Sequence, residues 1–370
     1  MADALAIAPL TPVVAPHTTH GGMLHDELAR LGLVPEDVLD VSVNVNPYGP
    51  CRPVIDAISS APIARYPDPT ATPARVALAR WLDVPSDRVV VGNGAVDLLW
   101  SIARCLVRPR DAVLIVEPAF SELRNAATRT GARIVEHHLR PEDDFALDPN
   151  ELDAALGLAK PRLAYVCTPA NPTGVRTPIE PLARLASEHP GTTFLVDLSF
   201  SSLSAQHRDD VVHASDRVVW LRSLTKDFAL AGLRVGFAVA PRELAASIES
   251  HRPPWSVNAL AQAAAIAATT REAQAFVADT RGRLLEDRAR LERELRGLGL
   301  RTHRSETIYT LVDLGPERRA TALRDAMLAR HAVLVRDATS FGLPHHVRLG
   351  ARPPVQEARL LRALSKELAR

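Results

Sequence analysis

The stretch RSLTKDFALAGLRVGF at 222–237 sets a lysine just beyond an apolar run, and an arginine eight residues later between Leu233 and Val235. The preceding RVVWL at 217–221 is short, β-branched and apolar, the pattern of a buried strand ending near Leu221. Ser223 and Thr225 flank the turn, with Lys226 at its tip. Two basic residues inside apolar sequence make sense where something anionic or electrophilic is held between them. A plain strand-to-loop connection with solvated charges is the alternative, and the rest of the chain decides between the two.

Outward from this stretch the chain alternates short apolar strands with helices. Strands are predicted within VVVGNG from Val89, AVLIVEPAF at 112–120, RIVEHHL from Arg133, LAYVC from Leu163, TTFLVDLSF at 192–200, RVVWLRS at 217–223 and RVGFAVA at 234–240. Helical patterns occupy 95–106, 121–131, 151–157 and 178–188, with earlier ones at 23–31, 53–60 and 72–82 around the turn-forming YPDPT at 66–70. Seven short strands divided by helices predict an α/β fold, a mainly parallel sheet in three αβα layers. From about Ser256 the texture changes to a long Ala-, Arg- and Glu-rich helical run at 257–297, then TIYTLVDL, a helix at 317–330, AVLVRDA, HHVRLG and a terminal helix at 354–369. That is a smaller α+β unit. The expected division is an arm and part of the small domain at 1–40, a large domain at 41–255, and an interdomain helix with the small domain at 256–370.

Composition narrows the class. The 370 residues are 46% hydrophobic and 24% charged, and 44 basic against 43 acidic residues leave a net charge of +1, which argues against a nucleic-acid surface. Cys51, Cys105 and Cys167 stand singly in apolar contexts, as reduced core residues of a cytoplasmic protein, and no metal-ligand set is expected. The first twenty-two residues lack the basic and continuous apolar regions of a signal peptide, no apolar run approaches membrane-spanning length, and the prolines and histidines from Pro9 to His20 read as an irregular arm.

In open α/β sheets ligands gather beyond the carboxyl ends of the strands. Asn93, Phe120, Asn171, Asp197 and Lys226 all fall at or just past such ends. A carboxylate after the apolar TTFLV is costly to bury alone. Paired with Lys226, Asp197 has a use: it can keep a heterocyclic nitrogen protonated while the lysine is joined covalently to the same heterocycle. Pyridoxal phosphate asks for those two partners. Arg234, Ser223 and Thr225 can satisfy its phosphate, and GNGAVDLLW at 92–100 places two glycines before a helix start whose free amides can receive phosphate oxygens.

Together SLTKDFALAGLRVGF, TPANPTG and RYPDP resemble the fold-type I pyridoxal-phosphate aminotransferase superfamily over about residues 42–352. HGG at 20–22, VSVNVNPYGP at 41–50 and PPWSVNAL at 253–260 are similar to the threonine-phosphate decarboxylases, relatives of histidinol-phosphate aminotransferases. The resemblance implies that Lys226 carries the cofactor, Asp197 partners its pyridine nitrogen, Phe120 stacks on its ring and Asn171 donates to its phenolic oxygen. It implies phosphate contacts from Ser223, Thr225, Arg234 and the amides near Gly94 and Ala95, and a homodimer in which Tyr66 reaches the phosphate of the neighbouring subunit. Arg348 would clamp a substrate carboxylate, and His20, Asn44, Asn46, Arg336 and Arg352 would surround a small amino-acid substrate that can carry its own phosphate. One departure is visible: where the relatives carry Asp-Glu-Ala followed by Tyr or Phe, this chain has Asp197, Leu198, Ser199 and Phe200. Phe200 cannot donate to the phenolic oxygen, which leaves Asn171 as the donor.

The residues by themselves leave the reaction open, because the same inventory serves loss of a proton or of carbon dioxide from the alpha carbon, selected by orientation. The resemblance in HGG and PWSVNAL, with three arginines for a carboxylate and a phosphate, favours decarboxylation of threonine phosphate to aminopropanol phosphate. Transamination of histidinol phosphate or another amino acid is the alternative, and a specialised biosynthetic relative a further one. A regulator that binds the cofactor without turnover is disfavoured, since the first forty residues offer no helix-turn-helix or basic patch.

Overall fold

The computed structural model describes residues 20–208, 210–213, 215 and 217–369. The expected irregular arm falls on 1–19, outside the described residues. Seven strands form the central sheet: β1 (Val89–Gly92), β2 (Ala112–Glu117), β3 (Arg133–His138), β4 (Leu163–Cys167), β5 (Thr193–Asp197), β6 (Val218–Ser223) and β7 (Gly236–Val239). Their order is β1-β7-β6-β5-β4-β2-β3, all parallel except β7, which runs against both neighbours. Every residue of β1, β2, β4, β6 and β7 is buried, as the unbroken apolar runs demand of a sheet covered on both faces. Edge strand β3 is the exception: it alternates exposed and half-buried residues and carries Arg133, Glu136 and His138, charges that discourage pairing with another chain. After β2 the chain moves to that edge and then returns across the sheet to β4, so the order switches between β2 and β4 and opens a crevice there.

Helix Ala95–Leu106 shows how sequence fixes one wall of this crevice. Leu98, Leu99, Ile102, Ala103, Cys105 and Leu106 form its buried stripe, and Gly94, at φ +83°, delivers the chain into its first turn. Asp97 in that turn accepts the Asn93 N–H at 2.9 Å and the Arg252 Nη2 at 2.8 Å.

The second unit has a four-stranded antiparallel sheet in the order Arg336–Asp337, His346–Gly350, Tyr309–Asp313 and Arg301–Thr302, covered by helices Ala320–His331 and Pro354–Leu368. The expected helical run at 257–297 is two helices, Ala259–Ala268 and Arg271–Gly297, because Thr270 stops the first and caps the second through an Oγ1 that accepts from the Ala273 N–H. The longer helix joins the two cores: Leu284 packs in the large one, Leu291 and Leu295 in the small one. The alternating stretch after Val38 yields only a two-residue strand, Leu39–Asp40, parallel to Val333–Leu334. Its alternation is nevertheless real, with Ser42, Asn44 and Asn46 all turned inward and 1–2% exposed. Among the described residues no helix is long and apolar enough to cross a membrane.

Candidate active site

The carboxyl ends of β1, β2, β4, β5 and β6 open onto one cavity of about 430 Å³, within the usual size of a small-ligand site. Lys226 sits at its base in the one-turn helix Leu224–Asp227, which starts where β6 ends at Ser223. Burial first, then the charges of Arg348 and Arg234, lower the Lys226 ammonium from 10.5 to about 8. A lysine lowered that far is still mostly protonated at pH 7, but it releases its proton far more readily than a solvated lysine.

Asp197 ends β5 and is 4% exposed. Its Oδ1 accepts the Ser199 N–H at 2.9 Å and its Oδ2 the Tyr165 hydroxyl at 2.9 Å. Burial raises its pKa, against the lowering effect of those donors and of Lys226. A carboxylate so placed is better accommodated when a cation faces it. Leu198, which stands in place of an acidic residue, points into the large core, and Ser199 supplies the backbone donor that fixes Asp197.

Arg234 answers the question raised by its apolar flanks. It adopts φ +55°, a left-handed conformation that a branched-free but bulky side chain enters only under constraint, and its guanidinium lies against the start of helix Ala95–Leu106. A Cβ added at Gly94 would stand 3.0 Å from Arg234 Nη2, and one at Gly236 would stand 2.7 Å from the Ala95 nitrogen. The two glycines thus keep open a concavity made of a guanidinium and helix N-terminal amides, suited to an anion. Ser223 and Thr225 line it, with Thr225 Oγ1 donating to the Val235 carbonyl at 3.3 Å.

Across the cavity, Arg348 is 5% exposed and donates through Nη1 to Asn171 Oδ1 and through Nη2 to the Ser42 carbonyl. The Asn44 amide, with its oxygen toward the guanidinium, accepts from Arg348 Nε and Nη1 at 3.2 Å. Arg336 is also 5% exposed, donates to Ser340 Oγ at 2.7 Å and lies over the Phe341 ring at 5.0 Å. Burial lowers Arg348 to about 9 and Arg336 to about 10. Among the described residues neither guanidinium makes a salt bridge. Phe120 stands in the wall against the His20 ring, with centroids 5.2 Å apart, and His20 Nε2 lies 3.0 Å from Glu122 Oε1. Phe200 also lines the cavity, edge-on to Tyr309 at 5.0 Å.

Two expected contacts, those of Asn46 and Arg352, lie elsewhere. Asn46 faces away from the cavity, where its Nδ2 donates to the Asp227 carbonyl at 3.0 Å and to Thr280 Oγ1 at 2.9 Å, while its own N–H donates to the Lys226 carbonyl at 3.0 Å. It braces the lysine turn from behind. Arg352 donates to the carbonyls of Asp40, Val43 and Ala351, so its guanidinium ties the 40–43 segment to the small domain and is withdrawn from any phosphate. Tyr66 is 81% exposed, stacked on Trp255 at 5.1 Å, and does not line the cavity of its own chain. Conversely, Tyr165, Ser42, Glu122 and Ser340 were not anticipated. Glu122 was within reach of sequence reasoning, as a carboxylate just beyond a strand end; the others depend on which strands and loops meet in space.

The Aminotransferase class I and II family model matches residues 36–366. A histidinol-phosphate aminotransferase of Symbiobacterium thermophilum is 34% identical, over 94% of this chain and 95% of its own length. Seven further curated relatives, 30–32% identical, carry the same name. In three dimensions the chain is similar to the histidinol-phosphate aminotransferase of Sinorhizobium meliloti solved with pyridoxal-5'-phosphate, with a TM-score of 0.86, 24% identity and 99% of each chain covered. It is also similar to the L-threonine-O-3-phosphate decarboxylase of Porphyromonas gingivalis, with a TM-score of 0.79, 26% identity and coverage of 90% of this chain and 100% of that one.

These findings overturn the expectation of threonine-phosphate decarboxylation, since all eight of these relatives, matched over nearly their full length, carry the histidinol-phosphate aminotransferase name. The structure gives the physical reason the two motifs misled. In HGG, Gly21 lacks a Cβ because one would stand 2.6 Å from the Ser42 carbonyl oxygen, and the Gly22 N–H donates to Ser42 Oγ at 2.8 Å. In PPWSVNAL, Ser256 accepts from Arg252 at 2.7 Å and Asn258 caps helix Ala259–Ala268 by accepting the Ala261 N–H at 2.8 Å. The glycines of HGG and the polar residues of PPWSVNAL serve packing and capping, which either chemistry needs, and His20 lines the cavity without selecting the reaction.

Proposed function

Because this chain belongs to the aminotransferase class I and II family, a family of pyridoxal-phosphate enzymes, we propose that it transfers the amino group of histidinol phosphate to a 2-oxo acid. The single observation that carries the reading is one cavity that brings Lys226, lowered to about 8, together with buried Asp197 and the buried guanidiniums of Arg348 and Arg336. The full-length relatives named for histidinol phosphate support the choice of donor.

The residues fit pyridoxal phosphate on this chain's own geometry. The glycine-kept concavity at Gly94, Ala95 and Arg234, with Ser223 and Thr225, suits its phosphate. Asp197 would face the pyridine nitrogen, and Lys226 would hold the cofactor covalently. Phe120 would cover one face of the ring. With its Oδ1 engaged by Arg348, Asn171 has its Nδ2 left to donate to the phenolic oxygen. When bound, the cofactor supplies an electron sink for the bond broken at the amine-bearing carbon.

The chain's own groups then divide the remaining work. Lys226, with its pKa lowered to about 8, is the group that can take a proton from the amine-bearing carbon and return one. Tyr165 and Ser199 fix the Asp197 carboxylate, so its charge needs no reorganisation as the reaction proceeds. Arg336, steadied by Ser340, is placed for a phosphate monoester, and Arg348 for the carboxylate of the 2-oxo acid. The active unit in this reading is a homodimer. Exposed Tyr66 and Trp255 lie against each other on the surface, from which Tyr66 would reach the partner's phosphate site. Incubation of the holoenzyme with ¹⁵N-labelled histidinol phosphate and 2-oxoglutarate tests the proposal. Labelled glutamate and the phosphorylated ketone are expected, and absence of label transfer at saturating cofactor rejects it.

A further inference from the structure

Three residues far apart in sequence, His303, Asp313 and His346, bring one ligand atom each to within 4.8 Å of one another in the small domain. The antiparallel register that pairs Asp313 with His346, together with the bond from the His303 N–H to the Leu311 carbonyl at 2.9 Å, builds the cluster from three separate segments. The two imidazole Nε2 atoms face each other at 3.2 Å. Two nitrogens held at about 2.0–2.1 Å in a tetrahedral zinc site are about 3.3 Å apart. His303 Nδ1 lies 3.2 Å from Asp144 Oδ1, the carboxylate–histidine arrangement that orients a metal-binding imidazole. Asp313 Oδ1 accepts the Gly315 N–H at 2.9 Å, which leaves Oδ2 for a ligand. His346 is 9% exposed, and its buried Nδ1 has no partner, so the ring is held through Nε2 alone.

We propose that His303, His346 and Asp313 form a binding site for a zinc-class divalent cation, with Asp144 as the carboxylate behind His303. The site is separate from the cavity that holds Lys226, none of its residues lining that cavity. Asp144 follows the turn Pro141–Asp143 after β3, and Phe145 beside it packs with Val175, Leu311 and Ala338. A bound ion would therefore fasten the large domain's 141–145 segment to the small domain's sheet. Arg301, 3.8 Å from Asp144 Oδ1, has 60% of its side chain exposed, so its charge is turned toward solvent.

The test loads purified holoenzyme with Zn²⁺ or Co²⁺, dialyses it, and measures metal content by plasma mass spectrometry and Co²⁺ visible absorption. One equivalent per chain with the intense bands of tetrahedral cobalt is expected, lost in His303→Ala and weakened at least tenfold in Asp313→Asn. Asp144→Asn should weaken binding by roughly 10–100-fold, the usual effect of removing such a carboxylate. Asp313 is partly exposed, so Asp313→Asn retains the fold and keeps the test valid if His303→Ala does not. No retained metal, or retention unchanged in Asp313→Asn and Asp144→Asn, overturns the proposal.

Discussion

Replacement of Asp197 by asparagine separates charge from shape at the centre of the site. Asparagine can keep the oxygen that accepts the Ser199 N–H, and its amide nitrogen takes the place of Oδ2, where it can donate to the Tyr165 hydroxyl. The buried Tyr165 hydroxyl proton then loses its acceptor, at a cost to folding of about 1–3 kcal/mol. The pKa shift works against this cost. Burial raises Asp197 above 3.8 in the cofactor-free fold, so the native state binds more protons there, and its carboxylate reduces stability as pH rises through that window. Removing the charge removes this penalty. Catalysis behaves oppositely: a unit charge facing a cation about 4 Å away at an effective dielectric near 20 is worth about 4 kcal/mol, and single electrostatic partners of a transition state typically contribute roughly 3 kcal/mol. A fall in kcat/KM of about 100- to 1,000-fold is expected at saturating cofactor, with Tm of the cofactor-free protein changed by only a few degrees. Turnover within threefold of the native enzyme would refute the assignment, and so would a collapse of Tm that accounts for the lost rate.

Lys226→Met in the cofactor-free protein should raise Tm at pH 7. Because the folded lysine titrates at about 8 against 10.5 unfolded, the native state binds fewer protons, native stability rises with pH between those values, and the gain from methionine must shrink across the same interval; a pH-independent gain would contradict the burial argument. Arg336→Gln should raise KM for histidinol phosphate at least tenfold while changing KM for unphosphorylated histidinol less than about twofold, a comparison of initial rates that a merely structural arginine would not split. Mixed dimers of Lys226→Ala and Tyr66→Arg chains should recover activity absent from either parent, measured after co-refolding; a fully active monomer by sedimentation would exclude the shared site.

The α/β fold and the principal landmarks were legible because they follow from local periodicity. Continuous apolar runs bounded by turn residues gave β1 to β7, and helices 72–82 and 95–106 fall on their expected bounds because Gly94 and the turn before Thr72 punctuate the chain. Lys226, Asp197 and Asn171 could be assigned to one cavity for the same reason: each stands at or just past the end of a buried strand, where the parallel arrangement itself directs residues to one crevice. The direction taken by long polar side chains was decided only in three dimensions. Arg352 and Arg348 look alike in sequence, yet the first is drawn to the carbonyls of Asp40 and Val43, while the second, held by Asn171 and the Ser42 carbonyl, stays in the cavity wall. Tyr165 reached Asp197 because the parallel register sets it beside Leu195, on the face that Asp197 shares two residues later. His303 and His346 meet through strand pairing across more than forty positions. Hydrophobic spacing along a chain encodes which face is buried, but the partner of a polar group is whichever donor or acceptor the folded backbone carries nearest to it, and that is a property of the assembled structure.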